Sequence, residues 1–325
     1  MPLPLLLLAF CLIAVQVSAE EILLWPEGVP EPRLPADPAE KVEKGKDGIS
    51  RRSNVSNPRL VVYDIPRTDP EKQRPAVIVV PGGGFNILAD EHEGTEVCRW
   101  FNERGYVAFL LLYRVPTGKL EIPNAGPMMD AQKAVAEVRR RAASFAVDPA
   151  KIVLLGFSAG GQTALVAAAN PPRFPGAAAG VVCRPDAVVL IYPWKVAAGD
   201  KVRDDILLDG QMPPTFILQS VDDKTSPPQA AARLFEALLA ANRPAELHIF
   251  EAGGHGFGMK QRPAGGLVGD WPNRVLEWLR GRGFGSATVP DTGRSRELNP
   301  PRAGRACRRG SPCGPSSACR RCPAL

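Results

Sequence analysis

Short runs of apolar residues, separated by polar or glycine- and proline-rich stretches, recur through the middle of the chain. Runs that are apolar at every position are typical of strands buried on both faces of a parallel sheet. We predict an edge strand over residues 59–63 and a central strand over residues 76–80. Further strands are predicted over residues 107–113, 151–155, 187–192, 215–218 and 246–250.

Between these strands, apolar residues recur at spacings of three and four, which indicates helices with one buried face. Residues 129–145 follow this spacing, and the alanine-rich stretch after Gly161 has a high helix propensity. A capping box, Ser-Pro-Pro-Gln at residues 226–229, predicts the start of another helix. The remaining helices are predicted over residues 92–104, ended by Gly105, and over residues 271–280, ended by Gly281.

This alternation of strands and helices predicts an α/β fold. We expect one domain over residues 58–283, with a mostly parallel central sheet covered by helices on both faces. The segment of residues 20–57 is charged and rich in proline, and we interpret it as an extended stretch leading into the domain.

The N-terminus differs in character from the regular middle part. Residues 4–17 form an apolar block, followed by the small residues Ser18 and Ala19 that favour cleavage by a signal peptidase. We predict a signal peptide over residues 1–19 and a secreted or periplasmic protein. No lysine or arginine precedes the block, so a retained membrane anchor is the alternative. No later stretch is predicted to span a membrane, so we expect no membrane span in the mature chain.

The C-terminal tail, residues 284–325, carries eight arginines against two carboxylates and so accounts for the whole net charge of +6. The basic pI is therefore no sign of nucleic-acid binding by the folded part, and we expect no nucleic-acid partner. Four cysteines in the tail could form a disulfide knot or a metal site. With one C-x-x-C pair and no histidine, a disordered basic tail is the favoured interpretation. These cysteines are Cys307, Cys313, Cys319 and Cys322.

The candidate chemistry begins at Gly-Phe-Ser-Ala-Gly-Gly, residues 156–161, between a predicted strand and a predicted helix. In that context the pattern G-x-S-x-G indicates a tight turn that lifts the oxygen of Ser158 to the top of the sheet. The alternative is a plain strand-to-helix turn. An acid and a histidine later in the chain favour a nucleophile.

Three histidines are available as the base for this serine. His255 follows the last strand in a glycine-rich loop, where small neighbours let an imidazole reach across the edge of the sheet. His248 alternates within a strand and is interpreted as structural, and His92 as a surface residue of a helix. Asp222 and Asp223 follow another strand, and either could orient the histidine.

A run of glycines, Gly82, Gly83 and Gly84, follows the central strand 76–80. Backbone N–H groups in such a run can converge on an anion, and we expect those of Gly83 and Gly84 to form an oxyanion hole with the N–H of Ala159. A flexible turn is the alternative. We predict neither a metal nor a cofactor.

Seven short motifs carry a family resemblance: residues 81–85, 113–115, 130–134, 148–151, 156–161, 192–193 and 253–257. Together they resemble the branch of the α/β-hydrolases that includes acetylxylan esterases, feruloyl esterases and kynurenine formamidase-like enzymes. The resemblance covers roughly residues 22–280. It implies an α/β-hydrolase fold, the triad order Ser, Asp, His, and hydrolysis of carboxylic esters without a metal.

The resemblance also favours Asp223 over Asp222, because Asp223 falls where related esterases carry their acid. Gln162 and Gln219 depart from the family, which often has histidine at both places. Neither is a triad position, so the departures bear on substrate preference rather than on activity.

The segment between Tyr192 and Pro214 is short and polar, unlike the apolar lid of a lipase. It carries Lys195, Asp200, Lys201, Arg203, Asp204 and Asp205. An open cleft with a polar rim favours an acylated carbohydrate or another small, hydrated ester as substrate. We therefore expect a secreted serine esterase that removes small acyl groups, acetyl foremost, from carbohydrate. The alternatives are a formamidase or peptidase-type amide hydrolase and an inactive hydrolase-fold binding protein.

Overall fold

The structure is a computed structural model that describes residues 20–64, 72–176, 182–259 and 267–285. The chain divides into two units, Met1–Val289 and Pro290–Leu325. The second unit and the predicted signal peptide lie outside the described residues, as do the four tail cysteines.

The described part of the first unit alternates strands and helices. The strands are β1 Glu21–Leu23, β2 Lys41–Lys44, β3 Ser50–Ser53, β4 Arg59–Tyr63, β5 Arg74–Val80, β6 Val107–Leu112, β7 Val147–Phe157, β8 Ala187–Ile191, β9 Ala197–Ala198, β10 Lys201–Val202, β11 Thr215–Ser220 and β12 Ala245–Phe250. The α-helices are α1 Glu96–Asn102, α2 Ala125–Arg140, α3 Ser158–Ala169, α4 Pro228–Ala240 and α5 Trp271–Gly281. A π-helical turn, Glu91–Thr95, leads into α1, and a 3-10 turn, Leu267–Asp270, leads into α5.

Eight of these strands form one sheet in the order β1-β4-β6-β5-β7-β8-β11-β12. The six strands from β6 to β12 run parallel, whereas β4 and β1 are antiparallel to their neighbours. Every residue of β5, β6 and β8 is buried, which requires that both faces of the sheet are covered. The predicted α/β architecture is confirmed.

The register brings the carboxyl ends of the parallel strands to one edge of the sheet. Gly156 in β7 pairs with Val80 in β5 and with Leu190 in β8, and Ile191 pairs with Leu218 in β11. Loops that follow these four strands therefore meet at the same edge, which is where ligands bind in open α/β sheets.

The N-terminal segment contains more regular structure than its composition predicts. Strand β1 pairs with β4, so the strand predicted at the edge is in fact the second one, and β1 covers it. Strands β2 and β3 form a separate antiparallel hairpin. These strands have three or four residues each, which is too short for an alternating pattern to be recognised.

Two other predictions about helices need correction. Helix α2 begins at Ala125 rather than at residue 129 and ends at Arg140 rather than at residue 145, because the chain beyond Arg140 forms turns. The capping box at Ser226 does not form: the N-cap of α4 is Pro227, without a side-chain cap hydrogen bond. Among the described residues, no helix is long and apolar enough to cross a membrane.

Candidate active site

Ser158 occupies the sharp turn between β7 and α3. Its φ of +49° lies in the left-handed region, which is strained for a residue with a side chain. The turn is closed by tight packing: a Cβ on Gly160 would collide with the carbonyl oxygens of Val80 and Pro81. The strand therefore ends, and the helix begins, with the serine at the carboxyl edge of the sheet.

The structure brings Ser158, His255 and Asp223 together in one hydrogen-bonded chain. The Oγ of Ser158 lies 2.9 Å from Nε2 of His255, and Nδ1 of the same ring lies 2.8 Å from Oδ2 of Asp223. Ser158 and Asp223 are buried, and His255 is partly exposed. The imidazole can therefore accept the serine proton on one nitrogen while the carboxylate holds the other.

The two neighbouring aspartates have different partners. The second oxygen of Asp223, Oδ1, accepts hydrogen bonds from the backbone N–H groups of Thr225 and Ser226, each at 2.8 Å. The Oδ1 of Asp222 accepts the backbone N–H groups of Gly253 and Gly254, at 2.9 and 2.7 Å. Asp223 thus contacts the imidazole, and Asp222 holds the loop that carries it.

The glycine run lies beside the serine, but its members are not equivalent. The N–H of Gly82 donates to Oε2 of Glu93 at 2.8 Å and is therefore engaged. Gly83 and Gly84, with φ values of +137° and +62°, line the same cavity as Ser158. Ala159, buried at the start of α3, is the third predicted donor.

The prediction that His92 lies on the surface is wrong. His92 and Glu93 are only 4% and 3% exposed, and both line the cavity. The cause is the π-helical turn over Glu91–Thr95, in which the N–H of Thr95 donates to the carbonyl of Asp90, five residues back. This wider turn buries three consecutive residues, a pattern that helical periodicity does not predict.

A cavity of about 690 Å³ opens over the serine. One wall is formed by the β2–β3 hairpin, with Asp47 and Ile49 in its loop and Arg51 in β3. The guanidinium of Arg51 donates two hydrogen bonds to the carboxylate of Asp47, at 2.9 and 2.6 Å. The segment interpreted as a stretch leading into the domain therefore also contributes to the site. The other lining residues are Gly83, Gly84, Ile87, Ala89, His92, Glu93, Ser158, Trp194, Thr225, His255 and Gly256.

The two glutamines that depart from the family are buried near the site. Gln162 donates from Nε2 to the carbonyl of Lys195 at 3.3 Å. Gln219 donates from Nε2 to the carbonyl of Ser226 at 2.8 Å, which supports the loop that carries Asp223. Both amides therefore hold loops at the rim of the cavity.

The short segment after β8 covers little of the cavity. It contains the two-residue strands β9 and β10, and its Trp194 lines the cavity beside Ser158. Its backbone is tied to the elbow, because the N–H of Trp194 donates to the carbonyl of Ser158 at 3.0 Å. Among the described residues, no group of three or more histidine, cysteine or acidic side chains could hold a metal ion.

Two family profiles match parts of the chain. BD-FAE matches residues 63–174, which include the glycine run and the serine turn. The Prolyl oligopeptidase family matches residues 196–280, which include both aspartates and His255.

Two relatives match by sequence over somewhat more than half of the chain. An acetylxylan esterase of Xylanibacter ruminicola is 28% identical over 208 residues, 56% of this chain and 41% of the relative. An endo-1,4-beta-xylanase B of Butyrivibrio fibrisolvens is 30% identical over 212 residues, 57% of this chain and 32% of the relative. The chain therefore matches less than half the length of each.

Solved structures match over more of their length. An acetyl ester-xyloside bifunctional hydrolase from Caldicellulosiruptor lactoaceticus superposes with a TM-score of 0.65 at 30% identity, over 82% of this chain and 97% of its own. A propionate-bound thermophilic esterase from Thermogutta terrifontis superposes with a TM-score of 0.61 at 25% identity, over 78% and 98%.

Proposed function

The chain belongs to the α/β-hydrolase superfamily, and from that premise we propose that it is a serine carboxylesterase acting on small acyl esters of carbohydrate. The observation that carries the proposal is the hydrogen-bonded chain from Ser158 through His255 to Asp223, at the floor of the 690 Å³ cavity.

In the first half of the reaction, the Oγ of Ser158 attacks the ester carbonyl while Nε2 of His255 takes the serine proton. The carbonyl electron pair moves onto the oxygen, which accepts hydrogen bonds from the N–H groups of Gly83, Gly84 and Ala159. The tetrahedral intermediate collapses, and the alcohol leaves with the proton from His255. Asp223 stabilises the imidazolium and holds its orientation throughout.

In the second half, water attacks the acyl-serine while His255 again acts as base. The second tetrahedral intermediate uses the same donors, and Ser158 recovers its proton as the carboxylic acid leaves. His255 thus acts as base and then as acid in each half, with Asp223 supporting it, whereas Ser158 is the nucleophile in the first half and the leaving group in the second.

Acetylated carbohydrate is the substrate class that the surroundings favour. Among the described residues, the rim after β8 is polar and the cavity is open rather than covered by an apolar lid. Two of the sequence relatives are an acetylxylan esterase and a xylanase, and one structural relative is an acetyl ester-xyloside bifunctional hydrolase. Secretion, suggested by the apolar residues 4–17, is part of the proposal.

The test is replacement of Ser158 by alanine. Hydrolysis of p-nitrophenyl acetate and of acetylated xylo-oligosaccharide should fall to the uncatalysed rate, whereas the matched change Ser144→Ala, at an exposed serine outside the cavity, should leave both unchanged. A fluorophosphonate probe should label Ser158 in the native protein only. Full turnover by Ser158→Ala, or labelling at another serine, would contradict the mechanism.

Amide hydrolysis is the second candidate, favoured by the Prolyl oligopeptidase match over residues 196–280. The same triad chemistry cleaves esters and amides, so geometry alone does not separate them. Acetylated xylo-oligosaccharide, N-formylkynurenine and a prolyl peptide compared at equal enzyme concentration would decide. We expect the highest kcat/KM for the acetyl ester, and faster amide cleavage would overturn that order.

A further inference from the structure

Glu93 is a buried carboxylate that the proposed reaction leaves without a role. It is 3% exposed, lies in the wall of the active-site cavity, and belongs to the π-helical turn Glu91–Thr95. Burying a carboxylate is costly unless its oxygens accept hydrogen bonds, so the partners of Glu93 show what the fold gains from it.

The first oxygen of Glu93 holds the glycine run. Its Oε2 accepts the N–H of Gly82 at 2.8 Å, one peptide before Gly83. The contact is close, because a Cβ on Gly82 would lie 2.7 Å from that oxygen and 2.8 Å from Cβ of Ser158. The carboxylate therefore fixes the peptide from which the proposed oxyanion donors follow.

The second oxygen holds the histidine loop through a tyrosine. The hydroxyl of Tyr192 donates to Oε1 of Glu93 at 2.8 Å and accepts the N–H of Gly258 at 3.0 Å. The tyrosine ring also packs against the imidazole of His255, with 4.9 Å between ring centroids. Tyr192 has a φ of +39°, a strained value for a side chain of this size.

A backbone hydrogen bond reinforces this arrangement. The N–H of Met259, one residue after Gly258, donates to the carbonyl of His92 at 2.8 Å. The π-helical turn thus bonds directly to the histidine loop through His92, reaches it again from Glu93 through Tyr192, and bonds to the glycine run at Gly82. π-helical turns of this kind are rare and are found frequently at functional sites.

We propose that Glu93 is a positioning residue: through Gly82 on one side and Tyr192 on the other, it keeps the oxyanion donors and the general base in register around Ser158. The inference rests on the proposed esterase function. One carboxylate oxygen bonds directly to the glycine run, and the other reaches the histidine loop through the hydroxyl of Tyr192, so one side chain links the two halves of the chemistry. A purely structural carboxylate could bond to any two elements. Small displacements matter here, since an error of about 1 Å in such a site can cost roughly 10²-fold in rate.

The decisive variant is Glu93→Gln, which keeps the volume but cannot keep both bonds. A carboxylate accepts from Gly82 and from Tyr192 at once, whereas an amide has one oxygen. If that oxygen accepts the N–H of Gly82, the NH₂ faces the hydroxyl of Tyr192, which must then accept from both the amide and Gly258 and has no acceptor left for its own proton. Tyr192→Phe is the complementary variant, because it keeps the ring against His255 and removes only the bridge. Asp130→Asn is the matched control: Asp130 is a fully buried carboxylate that accepts hydrogen bonds from Arg114 and Trp25 and does not line the cavity.

Each variant is measured for kcat and KM on p-nitrophenyl acetate, for Tm, and for Ki of an aryl trifluoromethyl ketone. Ser158 adds to this ketone reversibly, and the adduct places an oxygen among the oxyanion donors. For Glu93→Gln we expect kcat to fall about 10- to 100-fold with KM within about threefold, and Ki to rise by the same factor as kcat falls. Asp130→Asn should lower Tm and leave Ki unchanged.

Both variants disrupt the same hydrogen bond, from the hydroxyl of Tyr192 to Glu93. The double variant Glu93→Gln with Tyr192→Phe should therefore lose no more kcat than the single variant with the larger loss. A kcat for Glu93→Gln within twofold of wild type, single losses that multiply in the double variant, or an equal rise of Ki in Asp130→Asn would overturn the proposal. If Glu93→Gln does not fold, Tyr192→Phe decides by the same kcat and Ki criteria. Activity in Ser158→Ala would instead contradict the proposed function.

Discussion

Replacing Asp223 by asparagine should inactivate the enzyme for a reason that the loop geometry makes specific. The Oδ1 of Asp223 accepts two backbone N–H groups, from Thr225 and Ser226, and so the amide oxygen of the asparagine must take that side. The NH₂ then faces Nδ1 of His255. Facing an NH₂ group, Nδ1 can only accept, so the imidazole proton moves to Nε2. Nε2 then donates a hydrogen bond to Ser158, whereas catalysis requires it to accept the serine proton.

The size of the loss follows from the cost of the opposite orientation. Turning the amide around would restore the productive tautomer but leave two backbone donors without an acceptor, at about 1–3 kcal/mol each. The sum of about 2–6 kcal/mol corresponds to a loss of roughly 30-fold to 10⁴-fold in kcat. Asp222→Asn should cost less than about tenfold, because one amide oxygen can still accept both N–H groups of Gly253 and Gly254.

The assay is steady-state hydrolysis of p-nitrophenyl acetate by the two variants side by side. Near-ultraviolet circular dichroism and Tm check that both are folded. Imidazole ¹⁵N chemical shifts report the tautomer, which should be reversed in Asp223→Asn and unchanged in Asp222→Asn. A greater loss in Asp222→Asn would refute the assignment of the acid. A loss in Asp223→Asn without a change of tautomer would refute the reasoning from the loop.

Three further predictions concern stability. Gly160→Ala should abolish folding or lower stability by several kcal/mol, since its Cβ would meet the carbonyl oxygens of Val80 and Pro81; Gly210→Ala, with open space around it, should be neutral in the same thermal melts. The hydrogen bond from Arg140 lowers the pKa of Glu137 to about 2 from 4.5, so its stabilisation is complete above pH 4.5 and lost as the pH falls towards 2; the Tm difference between wild type and Glu137→Gln should shrink over that window. Truncation after Gly285 should leave Tm and activity unchanged. Truncation after Gly283 should cost about 3 kcal/mol, because it removes the buried Phe284, whose carbonyl accepts the hydroxyl of Tyr106 at 2.6 Å.

The elements that the sequence predicts well are those in which one physical signal dominates. Strands β5, β6 and β8, and β7 from Ile152 onward, are buried on both faces, so their apolar runs leave no ambiguity of type. The serine turn is similarly unambiguous, since glycines are needed where strand and helix backbones touch. The tail boundary predicted at residue 284 shows the limit of this reasoning. Phe284 follows a helix-ending glycine, yet it packs into the core, and no local pattern indicates that contact.

Glu93 shows why part of the site could not be predicted. It bonds to Gly82, 11 residues away along the chain, and to Tyr192, 99 residues away, and Tyr192 links it to Gly258, 165 residues away. These contacts also depend on a turn of π-helix, which no residue propensity predicts. The stretch His92 to Gly94 resembles the polar start of an ordinary helix, which would place at least one of these side chains in solvent. Only the tertiary structure shows that both ionisable side chains face the interior.

The failed capping box at Ser226 has a more instructive cause. In a capping box the serine hydroxyl accepts the N–H of the residue three positions on, and the side chain of that residue accepts the N–H of the serine. Here the N–H of Ser226 donates to Oδ1 of Asp223 and not to Gln229. The N–H groups of this loop donate to the carboxylate that faces His255. Helix α4 begins at Pro228, after an N-cap residue Pro227 that makes no side-chain cap hydrogen bond, and proline at the first position supplies the helical φ and has no N–H that needs an acceptor. Local rules that agree throughout a fold are expected to break where a site makes a competing demand. Here the missing cap of α4 and the bond from Ser226 to Asp223 have the same cause, and they distinguish Asp223 from Asp222 as the aspartate that this loop holds.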